Sequence, residues 1–315
     1  MNKKLILFAT IISVLLLVGC SGQKSKEPTA PTGGFIGGSE GLKIELLPGQ
    51  PPDSVYDKDD TSTFGIGIRI TDMGEANVEK GKAKVTITGF DPADFGLATP
   101  TVSTVDDLIG KRKSPEGTVI DGTFSMLNFD NLKYTKTVSA DVPYPFVANV
   151  CYKYETTANS RLCVLSDLLG KTGSTGICKV NEIKTVANSG APVHITSMIE
   201  TAIAKDKISF TFKIGHKGIG TIFKTAMADP ICDPNEITNR NKVKVTVNTG
   251  YNSGLTCSGL DANGYATLFG TEGATVICTQ MIPAAALVDS EKLVEIKLDY
   301  DYQQQVQKTV TVKHI

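Results

Sequence analysis

Hydrophobic residues alternate with small or polar ones in several short stretches of this chain, and the stretches come in matched pairs. Phe64, Ile66, Ile68 and Ile70 are followed by Gly74; Ile208, Phe210, Phe212 and Ile214 are followed, at the same spacing, by Gly218. Alternation with period two predicts a half-buried strand, and the glycine predicts a turn after it. Lys82-Ala83-Lys84-Val85-Thr86-Ile87 and Lys242-Val243-Lys244-Val245-Thr246-Val247 form a second pair. A third closes each half: Cys151-Tyr152-Lys153-Tyr154 and Asp299-Tyr300-Asp301-Tyr302 share Tyr-x-Tyr. Each Tyr-x-Tyr strand is expected to turn through a polar stretch and return near Arg161–Leu165 and Lys308–Lys313. β-like segments open the halves at Leu42–Leu47 and Val193–Ile199.

Matched elements in the same order predict a duplication. Residues 42–185 and 190–315 are expected to form two tandem all-β domains, each an antiparallel sandwich with Gly/Pro/Asn/Asp turns. Phe146, Ala148, Val150, Tyr152 and Tyr154 should share an inner face, with Cys151 opposite. Val294, Ile296, Leu298, Tyr300 and Tyr302 should do the same, which leaves Asp299 and Asp301 on an exposed face. Short helical candidates exist only at Val105–Gly110 and Pro283–Val288. The halves resemble immunoglobulin-like and CARDB-like modules of archaeal and bacterial surface proteins, on Ile208–Gly220 (ISFTFKIGHKGIG) and the Tyr-x-Tyr strands. That resemblance implies immunoglobulin-like sandwiches in a binding or structural role. Lys217-Gly218 stands where such modules often carry Asn-Gly.

The N-terminus sets the compartment. Lys3 and Lys4 precede an apolar run from Leu5 to Val18, the layout of a secretory signal and short for a membrane span. Leu17-Val18-Gly19-Cys20 resembles the lipobox of prokaryotic lipoproteins. This implies a signal peptide over 1–19, lipidation of Cys20, and a location on the extracytoplasmic face of the membrane or the cell surface. Residues 20–41, rich in Ser, Gly, Pro and Lys, are expected to be a flexible tether. Seven cysteines less Cys20 leave Cys151, Cys163, Cys178, Cys232, Cys257 and Cys278, an even set that suits disulfides in an exported chain. Cys257–Cys278 is the simplest local pair. The others fit Cys151–Cys163 across the expected hairpin with Cys178–Cys232, or Cys163–Cys178 with Cys151–Cys232.

Charge and composition narrow the function. The formal net charge is −1, so no basic excess exists to neutralise phosphates and nucleic acid is not an expected partner. There is no tryptophan, which weakens carbohydrate-stacking readings, and no Asn-x-Ser/Thr sequon. Gly37-Gly38-Ser39-Glu40-Gly41 matches GxSxG, yet lies in the tether, without the strand-to-helix elbow that chemistry needs. His194, His216 and His314 are read as surface or edge histidines. Asp57-Lys58-Asp59-Asp60 could offer oxygens to a calcium ion but lacks EF-hand spacing, so it reads as a solvated acidic turn. No cofactor and no metal ligand is nominated. The irregular segments 91–133, 225–241 and 249–265 are the candidate partner-facing loops. The chain is therefore expected to be a non-catalytic surface lipoprotein, held to the membrane by its anchor and binding an unidentified surface protein or polymer. The alternatives are an extracytoplasmic hydrolase and a ligand-binding accessory lipoprotein of a transport system.

Overall fold

A computed structural model of the chain describes residues 34–58, 62–170 and 177–315. The expected signal peptide, Cys20 and Asp59–Thr61 lie outside the described residues. The first half runs β1 (Leu42–Leu46), β2 (Ser54–Tyr56), β3 (Phe64–Asp72), β4 (Ala83–Thr88), β5 (Thr101–Ser103), β6 (Arg112–Lys113), β7 (Val119–Ile120), β8 (Phe124–Leu132) and β9 (Val142–Val164). Two short strands, β10 (Ile183–Lys184) and β11 (Ala187–Asn188), occupy the connection. The second half runs β12 (Val193–Ala204), β13 (Lys207–His216), β14 (Thr221–Phe223), β15 (Lys242–Asn248), β16 (Leu255–Ser258), β17 (Tyr265–Thr267), β18 (Ala274–Met281) and β19 (Ser290–Lys313).

The protein is all-β. Ala284–Ala286 forms a single 3-10 turn within the stretch expected to be helical, whereas Val105–Gly110 stays irregular. Leu108 is fully buried there and exchanges both backbone hydrogen bonds with Val78, which holds the chain extended. Among the described residues no helix is long and apolar enough to cross a membrane.

The register shows how the matched pairs are used. In the first half β1-β3-β8 form one sheet, facing the strands β5-β4-β9. In the second, β12-β13-β18 face β17-β15-β19. Leu42 sits opposite Asp72, and Val193 opposite His216. Ile68 pairs with Leu127, and Phe212 with Val276. Ile66, Ile68, Ile70, Phe210, Phe212 and Ile214 are at most 1% exposed, each contributing roughly 1.5–3 kcal/mol by leaving water.

The terminal hairpins do not form. β9 runs without a turn from Val142 to Val164 and β19 from Ser290 to Lys313, and they pair with each other, antiparallel, along almost their whole length. Neither strand has a glycine or proline after Pro145 to break it. In β9, two polar residues of the expected turn, Thr156 and Ser160, face inward and are satisfied. Thr156 donates to the Val193 carbonyl at 2.7 Å and Ser160 to that of Thr185 at 2.9 Å. The two halves therefore share one nine-stranded sheet and a continuous hydrophobic core.

Candidate functional site

Three features meet where the halves join: a tyrosine cluster, a strapped outer face and a groove. The β9–β19 register places Tyr152 opposite Tyr302, Lys153 opposite Asp301, and Tyr154 opposite Tyr300. This register, which exchanges one Tyr-x-Tyr stretch with the other, places a local two-fold axis through the Lys153–Asp301 pair. The four rings pack with centroids 5.7 to 6.5 Å apart, a spacing that favours edge-to-face contact. Their hydroxyls are partnered symmetrically. Tyr152 donates to Gln304 Oε1 at 2.9 Å, and Tyr300 shares a hydrogen bond with Thr156 Oγ1 at 3.0 Å. Tyr154 donates to Asp72 Oδ1 at 3.3 Å, and Tyr302 bonds His216 Nε2 at 2.8 Å.

This arrangement explains the repeated glycines, which the sequence presented only as turn markers. A Cβ on Gly74 would lie 2.0 Å from the Tyr154 hydroxyl, and one on Gly218 would lie 2.4 Å from that of Tyr302. Burial pushes the Asp72 carboxyl up to about 7, against the Gly74 amide and Tyr154 hydroxyl that favour its charged form. Its Oδ2 is buried without a partner. Burial also lowers His216 and pushes Tyr302 up to about 12. The carboxyl–phenol and imidazole–phenol pairs satisfy tyrosines inside the fold.

On the opposite face of the sheet, the segment from Ala226 to Cys232 lies across both halves. Asp301 was expected to be exposed but is fully buried: its Oδ2 accepts from the amides of Ala226 at 3.2 Å and Ile231 at 2.8 Å. Burial pushes its carboxyl up to about 6, with the Ile231 and Ala226 amides opposing. Lys153 donates to the Ala226 carbonyl, and Asp229 bridges Lys82 and Lys84 at 3.0 Å each. Cys151–Cys232 fastens the strap covalently. This part of the 225–241 candidate loop is thus bound to the first half.

The disulfides are Cys151–Cys232, Cys163–Cys178 and Cys257–Cys278. A Cys151–Cys163 bond is impossible, because twelve residues along one strand span about 40 Å. Cys257 and Cys278 are direct cross-strand partners of β16 and β18. Three disulfides fit folding in an oxidising, extracytoplasmic compartment.

Beside the tyrosines lie two grooves related by the local two-fold axis. In the first half the chain leading into β12 lies along β9: Ala187 pairs with Asn159, Asn188 with Ala158, and the Ser189 amide donates to the Thr157 carbonyl at 2.8 Å. The residues before β1 close this groove. Glu75 accepts from the amides of Ile36 and Gly37 at 2.9 Å each and of Gly190 at 2.6 Å. The expected tether 20–41 is therefore docked over its last residues. In the second half the equivalent groove, of about 400 Å³, is open between Glu40–Ile44, Gly218–Thr221 and Gln303–Gln305. Ile219 occupies the position of Glu75 and is 95% exposed.

The remaining sequence candidates have structural partners. Ser39 lies in the docked segment and lines the open groove. Its neighbour Gly38 offers its carbonyl to His194 Nε2 at 3.1 Å. Asp57 accepts from His314 Nδ1 at 2.8 Å and from the amides of Val138 and Ile315. The His314 hydrogen bond, followed by those amides, holds its carboxyl down at about 2. That carboxylate anchors the C-terminus rather than facing solvent. Phe95 buries the start of the 91–133 segment in an aromatic cluster with Phe90, Tyr134, Tyr144 and Phe146. Among the described residues no group of three His, Cys, Asp or Glu side chains is placed to hold a metal ion.

No family model matches the chain, and no curated protein matches it. Among solved structures it is similar to the secreted serine protease VesC from Vibrio cholerae, with 10% identity and a TM-score of 0.21. The match covers 87% of this chain and 52% of that one, so the chain spans about half the protease's length. A similarity that low carries no argument about activity.

Proposed function

We propose that the protein is a membrane-anchored surface lipoprotein whose two fused β-sandwiches form a rigid binding or structural module. The lipobox-like Leu17–Cys20 segment supports the anchor, and the three disulfides fit the compartment. The observation that carries the reading is the way the halves are joined. A ligand-binding transport lipoprotein that closes on its ligand needs a hinge between lobes. Here β9 and β19 pair throughout, and Cys151–Cys232 fastens the second half's strap to the first. Rigid scaffolds of this kind recognise partners through edges and loops.

The test is fractionation of cells producing the full chain, with mass spectrometry of the N-terminal peptide. The expected result is an acylated Cys20 as first residue, in the membrane fraction and accessible to external protease. A soluble protein still carrying Lys3 and Lys4 would overturn the anchor.

A further inference from the structure

The two grooves differ in one decisive respect: one backbone edge is covered and its counterpart is bare. Odd-numbered residues of β9 direct their backbone groups away from β19, as the Lys153 amide bound to Lys82 and the Thr157 carbonyl bound to Ser189 show. Odd-numbered residues of β19 do the same. Gln303 lies opposite Thr221 of β14, and the Thr311 amide donates to the Asp53 carbonyl. Between them, Gln305, Gln307 and Thr309 have no strand beside them among the described residues. By the local symmetry, Gln305 and Gln307 stand where Thr157 and Asn159 stand in β9, where β11 and Ser189 cover the edge.

The chain segment that would cover the β19 edge by symmetry is the one before β1. It goes elsewhere. Gly37 and Gly38, with φ of 82° and 111°, take conformations open mainly to glycine, and the chain passes to Glu75 and Gly190 in the first half. Unpaired edges are templates for strand pairing, and natural proteins usually cover or charge them. Along this one Gln305 and Gln307 are uncharged and exposed, and the groove beside it is lined by Glu40, Lys43 and Lys217 together with the exposed Ile219.

We propose that the β19 edge from Gln305 to Thr309, with the groove beside it, is a strand-addition site for an extended segment of a partner protein. The covered groove specifies the occupant's chemistry. The segment runs antiparallel to β19 and carries small residues, as Ala187, Asn188, Ser189 and Gly190 do against β9. Where Glu75 caps the covered groove with a carboxylate, an apolar side chain of the partner packs on Ile219. In this mode the backbone supplies affinity and the flanking side chains supply selection. The inference deepens the binding-module reading and rests on it.

Hydrogen exchange of the mature, full-length protein, read residue by residue, tests the site. The probe is a synthetic peptide copying residues 185–192 (TVANSGAP), the strand that occupies the covered groove. Without peptide, the amides of Gln305 and Gln307 should exchange at least ~100-fold faster than those of Thr157 and Asn159. Millimolar peptide should slow Gln305 and Gln307 by at least ~10-fold and leave Thr157 and Asn159 unchanged. The slowing of Gln307 should disappear in Gln305→Pro, which lacks the pairing N–H, and in Ser39→Trp, which fills the groove from an exposed position on the wall opposite β19. Equal protection of both edges before peptide is added would overturn the proposal, as would peptide that leaves Gln305 and Gln307 unchanged. Loss of the lipid at Cys20 would sink the anchored-module reading and leave these exchange rates as they are.

Discussion

The covered groove of the first half and the open groove of the second are built on the same strands. Each lies beside a Tyr-x-Tyr pair, below a glycine that makes room for a phenol, and along the outer edge of a long strand. They differ at the rim. Glu75 collects three backbone amides and draws two chain segments over one edge; Ile219, in the same position, collects none and faces solvent. The packing that holds each half together is thus alike in the two halves, while the edges, which need no partner for the halves to fold, differ. The contrast separates residues that build the scaffold from those that decide what rests on it.

The largest effect should come from the covalent link between the halves. Replacing Cys151 and Cys232 by serine opens a loop with a sequence separation of 81 residues. In the chain-entropy model this costs about 4.5 kcal/mol. The bond Cys163–Cys178, with a separation of 15, should cost about 3 kcal/mol. Denaturant unfolding of the two double variants checks the order. Equal destabilisation would mean that the strap is held by Asp301 and the lysines rather than by the disulfide.

The glycines come next. Gly74→Ala should cost about 3 kcal/mol or more, because the new methyl meets the Gly190 and Glu40 carbonyls at 2.5 and 2.8 Å as well as the Tyr154 hydroxyl, and backbone cannot step aside. Gly218→Ala meets the side chains of Tyr302 and Pro192, which can shift, and should cost less. Melting temperatures of the two variants measure the difference.

These sites also show what could be read in the sequence. The alternating positions Ile66, Ile68 and Ile70, and Phe210, Phe212 and Ile214, mark the inner faces correctly, since burial on one face of a strand imposes period two. The paired glycines could be found as well, but their purpose could not, because it depends on tyrosines some eighty residues away. The long strands were missed for a related reason. Thr156 and Ser160 look like turn residues until the carbonyls that satisfy them are known. Asp301 looked solvated because nothing local indicates that Ala226 and Ile231 will deliver amides to it. Glu75 carried no signal at all: its three partners come from two distant segments.

Acid should act on the tyrosine cluster with a definite sign. In the folded protein Asp72 is pushed up to about 7 from its ordinary 3.8, so between those values the folded state keeps a proton that the unfolded chain gives up. Stability contributed by this group is therefore present below pH 3.8 and is lost as pH rises to about 7, a change on the order of 4 kcal/mol. Its counterpart in the second half, His216, is pushed down by burial and favours the folded state as pH rises. Asp72→Asn should flatten the decline in unfolding free energy between pH 5 and 7, while leaving the loss below pH 4 that comes from Asp57, held down at about 2. An unchanged profile would show that Asp72 is solvated in the folded protein.

The smallest effects test the comparison most directly. Glu75→Ala removes the acceptor of three amides, two from the segment before β1 and one from Gly190. The site is only partly buried, so water can replace some of what is lost, and the cost should be about 1–2 kcal/mol. Ile219→Ala, at the equivalent position with its side chain in solvent, should stay within about 0.5 kcal/mol. The accompanying structural change separates the two further. Limited proteolysis should cut between Phe35 and Glu40 in the Glu75 variant and leave the Ile219 variant intact, because only the first loosens a docked segment. If Ile219→Ala were as destabilising as Glu75→Ala, the open rim would already be covered within this chain. The two grooves would then be equivalent in energy as well as in position, and the β19 edge would have nothing to offer a partner.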